Sequence, residues 1–250
     1  MHFARMEVAN SVKVAMVAAL EREVVALIKH WRRAERGYEG RQFTFFENGD
    51  AVLVCGGIGA EAARRAAEAA IALYQPELVQ SVGFAGGLDP ALKVGQIFSP
   101  RLVIDARDGS TVDTMTGSGV LVSATEIAGA EQKRKLAESY RAQAVDMEGA
   151  AVARGAQARN VPFMAVKAIS DESGFAMPAM NRFVDRHGQF RTGRFVIFAT
   201  FRPWLWPLVI QLAANSAKAS KSLCAELARY LNDAKKPGIS ATELHPMSKE

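Results

Sequence analysis

Short apolar runs alternate with stretches of helical spacing along most of this chain, and that alternation decides its fold class. Residues 13–18 form a β-type run, and 21–31 follow with helical spacing. Residues 42–46 and 51–55 read as paired strands around the turn Asn48-Gly49-Asp50. Gly56-Gly57-Ile58-Gly59 leads into a long alanine-rich helix, 60–74, which Pro76 closes before another strand at 78–82. Residues 94–104 look extended, 105–119 form a polar loop, 120–123 a short strand and 125–139 a helix. After the apolar run 142–145 and a helical pattern over 150–158 comes the strand 163–169. Strands interleaved with helices predict an α/β layered fold on a largely parallel or mixed sheet.

The stretch Val145-Asp146-Met147-Glu148-Gly149-Ala150-Ala151 lies at a strand-to-helix junction. Asp146 is placed to cap the helix, and in α/β sheets ligands bind at such strand ends. Glu148 is then either a ligand-facing carboxylate or a first-turn charge that complements the helix dipole. Spacing alone leaves both readings open.

Size and charge narrow the classes. With 250 residues, 49% of them hydrophobic, the chain can bury the core of one ordinary domain. Cys55 and Cys224 have no metal or framework spacing, which predicts a reducing, cytoplasmic setting. Residues 1–12 lack the long apolar core of a secretory signal. The net charge of +5 is spread widely, and no interleaved aromatic and basic motif marks a nucleic-acid surface.

The junction resembles the signature of the nucleoside phosphorylase and nucleosidase superfamily. Three more stretches match that family in order: Ala18-Ala19-Leu20-Glu21-Arg22-Glu23-Val24, Gly83-Phe84-Ala85-Gly86-Gly87-Leu88 and Ala168-Ile169-Ser170-Asp171. The resemblance covers residues 13 to about 175 and is nearest to the methylthioadenosine/S-adenosylhomocysteine nucleosidase branch. It implies a three-layer α/β/α sandwich with a central mixed sheet, a homodimer, and neither metal nor cofactor. The single domain would span 1–232, with 233–250 a flexible tail.

Cleaving an N-glycosidic bond needs a proton for the leaving base, a nucleophile at the anomeric carbon and stabilisation of a cationic sugar. By resemblance Glu23 is the general base that activates water, with Glu21 its rival two positions away. Asp171 is the general acid, which must keep its proton near neutrality. Glu148 accepts the ribose hydroxyls and Met147 lies beside the sugar. Ile58 sits near the 5′ substituent, Gly86 and Phe84 in the pocket wall, and Thr125 and Ile127 at the base. The bland alternatives are a first-turn glutamate for Glu23 and a helix cap for Asp171. Lys167 reads as structural or as a strand-end charge.

Rival chemistries leave marks too. Phosphorylases of this superfamily carry an arginine and a small hydroxyl residue where this chain has Ser81 and Phe84, so water is the expected nucleophile. Gly57-x-Gly59-x-x-Ala62 partly imitates a dinucleotide fingerprint, but no acidic residue ends the next strand. A non-catalytic nucleoside- or lipid-binding module is the remaining alternative.

The chain departs from the nucleosidases over 97–120, at Phe84, and over 123–127, where the expected pocket residues are missing. Its residues 175–214 form an aromatic and basic extension. The apolar run 195–214 is about as long as a membrane span, but Arg202, Pro203 and Pro207 interrupt it. A pair of short helices, buried or interfacial, is expected there, followed by a surface helix over 211–231. This extension resembles the hopanoid-associated branch of the superfamily, which implies adenosylhopane as substrate and peripheral contact with a membrane.

Overall fold

The computed structural model describes residues 12–175, 183, 185, 188 and 191–234. The expected signal-free N-terminal residues, Arg182 and Arg186, and the tail beyond 234 lie outside them.

β1 (Val14–Ala18) shows how the core is made. Val14, Met16 and Ala18 enter one apolar cluster, while Ala15 and Val17 enter another on the opposite face of the sheet. Successive side chains of a strand point to opposite faces, so an uninterrupted apolar strand needs cover on both sides. α2 (Ala60–Tyr74) and α4 (Gly149–Gln157) cover one face; α1 (Glu21–Ile28) and α6 (Trp206–Ala234) cover the other. The result is the three-layer α/β/α sandwich that was expected. Small residues let the first helix pair approach: a methyl on Gly155 would meet Ala67 Cβ at 3.5 Å. On the other face Leu53, Leu223 and Leu227 are fully buried, each worth about 1.5–3 kcal/mol of apolar transfer.

The sheet is mixed. Its path runs β2 (Arg32–Tyr38), β3 (Arg41–Asn48), β4 (Ala51–Cys55), β1, β5 (Leu78–Gly87), β10 (Ala144–Asp146), β9 (Val120–Ser123), β7 (Leu102–Asp105) and β8 (Thr111–Asp113). β11 (Phe163–Asp171) lies alongside β5 in parallel and also pairs with β6 (Ile97–Phe98). β5 therefore branches: β1 and β11 flank its first part, and β10 joins antiparallel at Gly86 and Gly87.

Several expectations need correction. The first helix stops at Ile28, and β2 occupies 32–38 where no strand was read. β2 lies at the sheet edge with alternate residues exposed and sequence Arg-Arg-Ala-Glu-Arg-Gly-Tyr, so it carries little apolar signal. Its turn places Glu39 and Gly40 at φ 47° and 74°, the conformation of a tight hairpin without the usual Asn-Gly pair. The extended run 94–104 splits into β6 and β7 around Pro100, and the loop after it contains β8. The helix expected from 125 starts at Ala130 as α3 (Ala130–Tyr140), after Gly129.

The C-terminal helices also differ from the expected short pair. α5 (Thr192–Thr200) is followed by a 3₁₀ turn, Pro203–Leu205, and then by α6, which runs for 29 residues. Pro203 and Pro207 fall in the first turns of the elements they were expected to break. There a missing N–H leaves no helical bond unmade. No helix among the described residues is long and apolar enough to cross a membrane.

Candidate active site

Where β5 changes partners, Gly86 has Asp171 of β11 on one side and Val145 of β10 on the other. A methyl on Gly86 would lie 3.1 Å from both Asp171 Oδ2 and Lys133 Cε, so any larger residue would press on the pair. Asp171 is 3% exposed. Ser170 Oγ donates to its Oδ1 at 2.7 Å, and the buried Lys133 ammonium donates to its Oδ2. Lys133 Nζ also donates to the Glu172 carbonyl at 2.7 Å. The general acid of the sequence reading is thus one half of a buried ion pair.

Glu23 sits one turn into α1, beyond the end of β1. Its Oε2 accepts the Leu20 amide at 3.2 Å, which satisfies an otherwise unpaired helix-start N–H. It is buried all the same, and burial raises its carboxyl above the ordinary range, against the Leu20 amide and the Lys167 charge. The neighbouring β5 residue, Gly83, has φ +145°, and a methyl there would stand 2.9 Å from Glu23 Oε2. Glu21, the rival base, is exposed.

Glu148 Oε1 accepts the Gly59 amide at 2.7 Å, and its Oε2 accepts that of Met147 at 3.2 Å. A carboxylate offers about four acceptor sites, so capacity remains for two hydroxyls. Burial first, and then the Asp146 charge, push its carboxyl up to about 7. Asp146 closes the start of α4 without being the cap residue itself: its Oδ2 accepts the Gly149 amide at 2.8 Å. Ser123 Oγ takes the Ala150 amide at 2.9 Å and donates to Asp146 Oδ1 at 2.5 Å.

Lys167 is no strand-end charge. It lies within β11, 1% exposed, with Nζ 2.8 Å from Asp146 Oδ2 and 2.9 Å from Ser81 Oγ. Burial alone would lower it, but Asp146 and Glu148 outweigh burial and raise it. Two buried lysines thus stand among four carboxylates, Glu23, Asp146, Glu148 and Asp171, and the Asp146 and Glu23 charges add to burial in raising Glu148.

These groups surround one cavity of about 470 Å³. Glu23, Ile58, Phe84, Gly86, Ile127, Met147, Glu148 and Asp171 all line it. Thr125 does not: it is exposed, and the chain turns so that Glu126, Ile127 and Ala128 face the cavity instead. Lys133 carries no sequence signal, because a lysine within Glu-Gln-Lys-Arg-Lys has the look of a solvated face. Apolar lining also comes from the C-terminal extension, through Phe195, Val209, Leu212 and Ala213, and Ile127 packs against the Phe183–Phe195 cluster. Phe183 and Phe195 meet edge to face with centroids 5.3 Å apart, and the Phe198 ring lies tilted against Phe183 at the same distance. The Gly188 carbonyl accepts the Ile58 amide at 2.7 Å, tying the extension to the glycine loop.

The family model of the phosphorylase superfamily matches residues 13–117 and 110–193. The chain belongs to that superfamily. It is 29% identical over 209 residues to the 5′-methylthioadenosine/S-adenosylhomocysteine nucleosidase of Marinomonas sp., covering 66% of this chain and 88% of that one. It is 23% identical over 198 residues to the aminodeoxyfutalosine nucleosidase of Campylobacter jejuni, covering 65% and 86%. Its fold matches the 5′-methylthioadenosine nucleosidase of Arabidopsis thaliana with a TM-score of 0.69 at 16% identity, over 94% of this chain and all of that one. The superfamily match ends at 193, so the stretch from α5 onward, which supplies the apolar wall, lies almost wholly beyond it.

Proposed function

We propose that this member of the phosphorylase superfamily is a purine nucleosidase acting on an adenine nucleoside with a large apolar 5′ substituent. The observation that carries the reading is the cavity itself. Three motif carboxylates, Glu23, Glu148 and Asp171, line it together with the apolar side chains of Phe195, Val209 and Leu212. Nucleosidase relatives support hydrolysis of the N-glycosidic bond. In this reading Glu148 holds the ribose hydroxyls, Met147 packs beside the sugar, Asp171 protonates the base and Glu23 takes a proton from the attacking water. Ile58 and Phe84 flank the 5′ position, and Ile127 lies at the base.

Water is the nucleophile in this reading. Ser81, where a phosphorylase would present arginine, is fully buried and bonded to Lys167, and Phe84 has no hydrogen-bond donor to offer. Lys167 is already paired with Asp146, so a phosphate dianion at that point would lack the arginine that a phosphorylase offers.

For the 5′ group, adenosylhopane is the finer candidate, supported by the resemblance of the extension and by its apolar lining. The same extension turns Phe201, Trp204, Trp206 and Ile210 outward, exposed by 75, 71, 51 and 68%. Arg202 lies among them, its guanidinium 3.8 Å from the Phe198 ring centroid. Aromatic side chains beside an arginine suit a membrane boundary, where a lipid-linked nucleoside would be met. A homodimer belongs to the same reading by family analogy.

The deciding experiment is release of free adenine from 5′-alkylthioadenosines of increasing chain length. The reading expects kcat/KM to rise with chain length. Absence of adenine from every probe would overturn it, and preference for the shortest would overturn the apolar 5′ group alone.

A further inference from the structure

α3 is a polar helix, and its one fully buried side chain is a lysine. Lys133 reaches from it into the cavity wall, 2% exposed, and touches the Asp171 carboxylate there. A buried ammonium is costly without a partner, so the pair is mutually required. It is also at odds with a simple acid role for Asp171. An amine and a carboxylic acid in contact rest as ammonium and carboxylate, because the amine is ordinarily the far stronger base.

We propose that Lys133 stores the proton that the leaving base takes, and that Asp171 relays it. The inference rests on the nucleosidase reading above. As the bond from the anomeric carbon to the base breaks, its electron pair goes to the base. One proton moves from Lys133 Nζ to Asp171 Oδ2 and on to the ring nitrogen, so the base leaves neutral. Lys133 is left as a free amine and Asp171 as a carboxylate. Water bonds to the anomeric carbon and gives its proton to Glu23. After the products leave, Glu23 loses that proton to solvent and Lys133 regains one, so water is added across the bond with nothing left over.

The surroundings fit a relay. Ser170 holds the other oxygen of Asp171, so the carboxylate keeps its orientation while Oδ2 exchanges its proton. The Glu172 carbonyl anchors Lys133 Nζ at 2.7 Å and is an acceptor that cannot compete for the proton. Gly86 leaves both groups open to the cavity, with no Cβ between them. A lysine that only positioned Asp171 would be replaceable by arginine, which keeps charge and donors but does not give up a proton.

The test compares wild type, Lys133→Gln, Lys133→Arg, Asp171→Asn and the Lys133→Gln/Asp171→Asn double variant. The probes are 5′-methylthioadenosine and 5′-octylthioadenosine, followed from about pH 5 to about pH 10, across the carboxylate and amine ranges. Both lysine variants should lose kcat by about 100-fold or more with KM little changed. The double variant should be no slower than Asp171→Asn, since the two residues act as one unit. Wild-type kcat in Lys133→Arg would overturn the proposal and leave a positioning role. So would a Lys133→Gln/Asp171→Asn variant clearly slower than Asp171→Asn, a comparison that stands even if both single lysine variants fail to fold. If wild type releases no adenine from either probe, the nucleosidase reading fails and takes this one with it. Turnover that survives in Lys133→Arg sinks the relay alone.

Discussion

The Gly59 amide donates to Glu148 Oε1 at 2.7 Å, joining two residues 89 positions apart. That bond fixes the carboxylate at the mouth of the glycine loop and holds one of its oxygens in place. Because the Glu148 carboxyl is pushed up to about 7, mainly by burial, it becomes an anion only above that pH. Acceptance of ribose hydroxyls needs the anion, so kcat/KM should rise through about pH 7, and Glu148→Gln should abolish that limb while lowering turnover. The stability consequence has the opposite sense. The folded state keeps this proton to higher pH than the unfolded chain, so the group favours folding below the ordinary carboxylate value. That contribution is lost as pH rises through about 7. Melting curves of wild type and Glu148→Gln against pH would show both effects.

Glu23→Gln and Asp171→Asn should each lower turnover by about 100-fold or more, and Asp171→Asn should also lower the melting temperature because it leaves the buried Lys133 ammonium without its partner. Near-normal rates in both would return these residues to helix-start and ion-pair roles. Single-turnover assays on 5′-methylthioadenosine measure the loss directly.

Lys167→Met should destabilise the protein by about 3–5 kcal/mol, because it strands the buried Asp146 carboxylate. Adding Asp146→Asn should restore much of that loss. The pair of melting measurements separates a structural cation from one needed only for rate. In any Lys167→Met protein that folds, the activity limb assigned to Glu148 should move upward, since the Lys167 charge lowers that carboxyl.

Base release should run undiminished in phosphate-free buffer and yield free sugar. Strict dependence on phosphate, with a sugar 1-phosphate as product, would mean that other side chains of the cavity hold the anion. Phosphate titration with product identification decides.

Trp204→Ser with Trp206→Ser should leave stability within about 0.5 kcal/mol, as both side chains are more than half exposed. The same pair should weaken binding to anionic vesicles. Leu212→Ser, which alters the inner wall, should instead cut kcat/KM for a long-chain substrate far more than for 5′-methylthioadenosine. A double variant that binds vesicles like wild type would remove the membrane from the reading, whatever Leu212 does.

The elements that the sequence made legible are those whose side chains all point to the same answer. α2 was bounded at both ends, because Gly59 precedes it and Gln75-Pro76 ends it. Gln75 takes the left-handed conformation and returns its N–H to Ile71 O. β2 was invisible because its partner supplies the order: its residues pair with β3 from Arg32 to Tyr38 while its own pattern is polar. The site divides in the same way. Glu23, Glu148 and Asp171 stand in local motifs and could be named. Lys133 and Lys167 acquire their roles only from what lies across the fold, at Asp171 and Asp146, and no window of sequence contains both members of either pair. Thr125 was misplaced for the converse reason, since its position in the chain says nothing of which way the turn before α3 faces.

The branching of β5 makes the molecule a pair of callipers. Asp171 and Val145 are registered to the same residue, Gly86, through backbone hydrogen bonding, and adjacent strands keep a spacing of about 4.8 Å. The strand that ends in Asp171 and the strand that leads to Glu148 therefore stand roughly two such spacings apart, about 10 Å. Side-chain substitution can alter what is gripped but not the gauge. The wall that Phe195 of α5 and Val209 and Leu212 of α6 supply has no such constraint, because those helices lie outside the sheet. Chains of this architecture can thus exchange one apolar wall for another by rewriting a terminal segment, while the carboxylates carried by the sheet keep their setting.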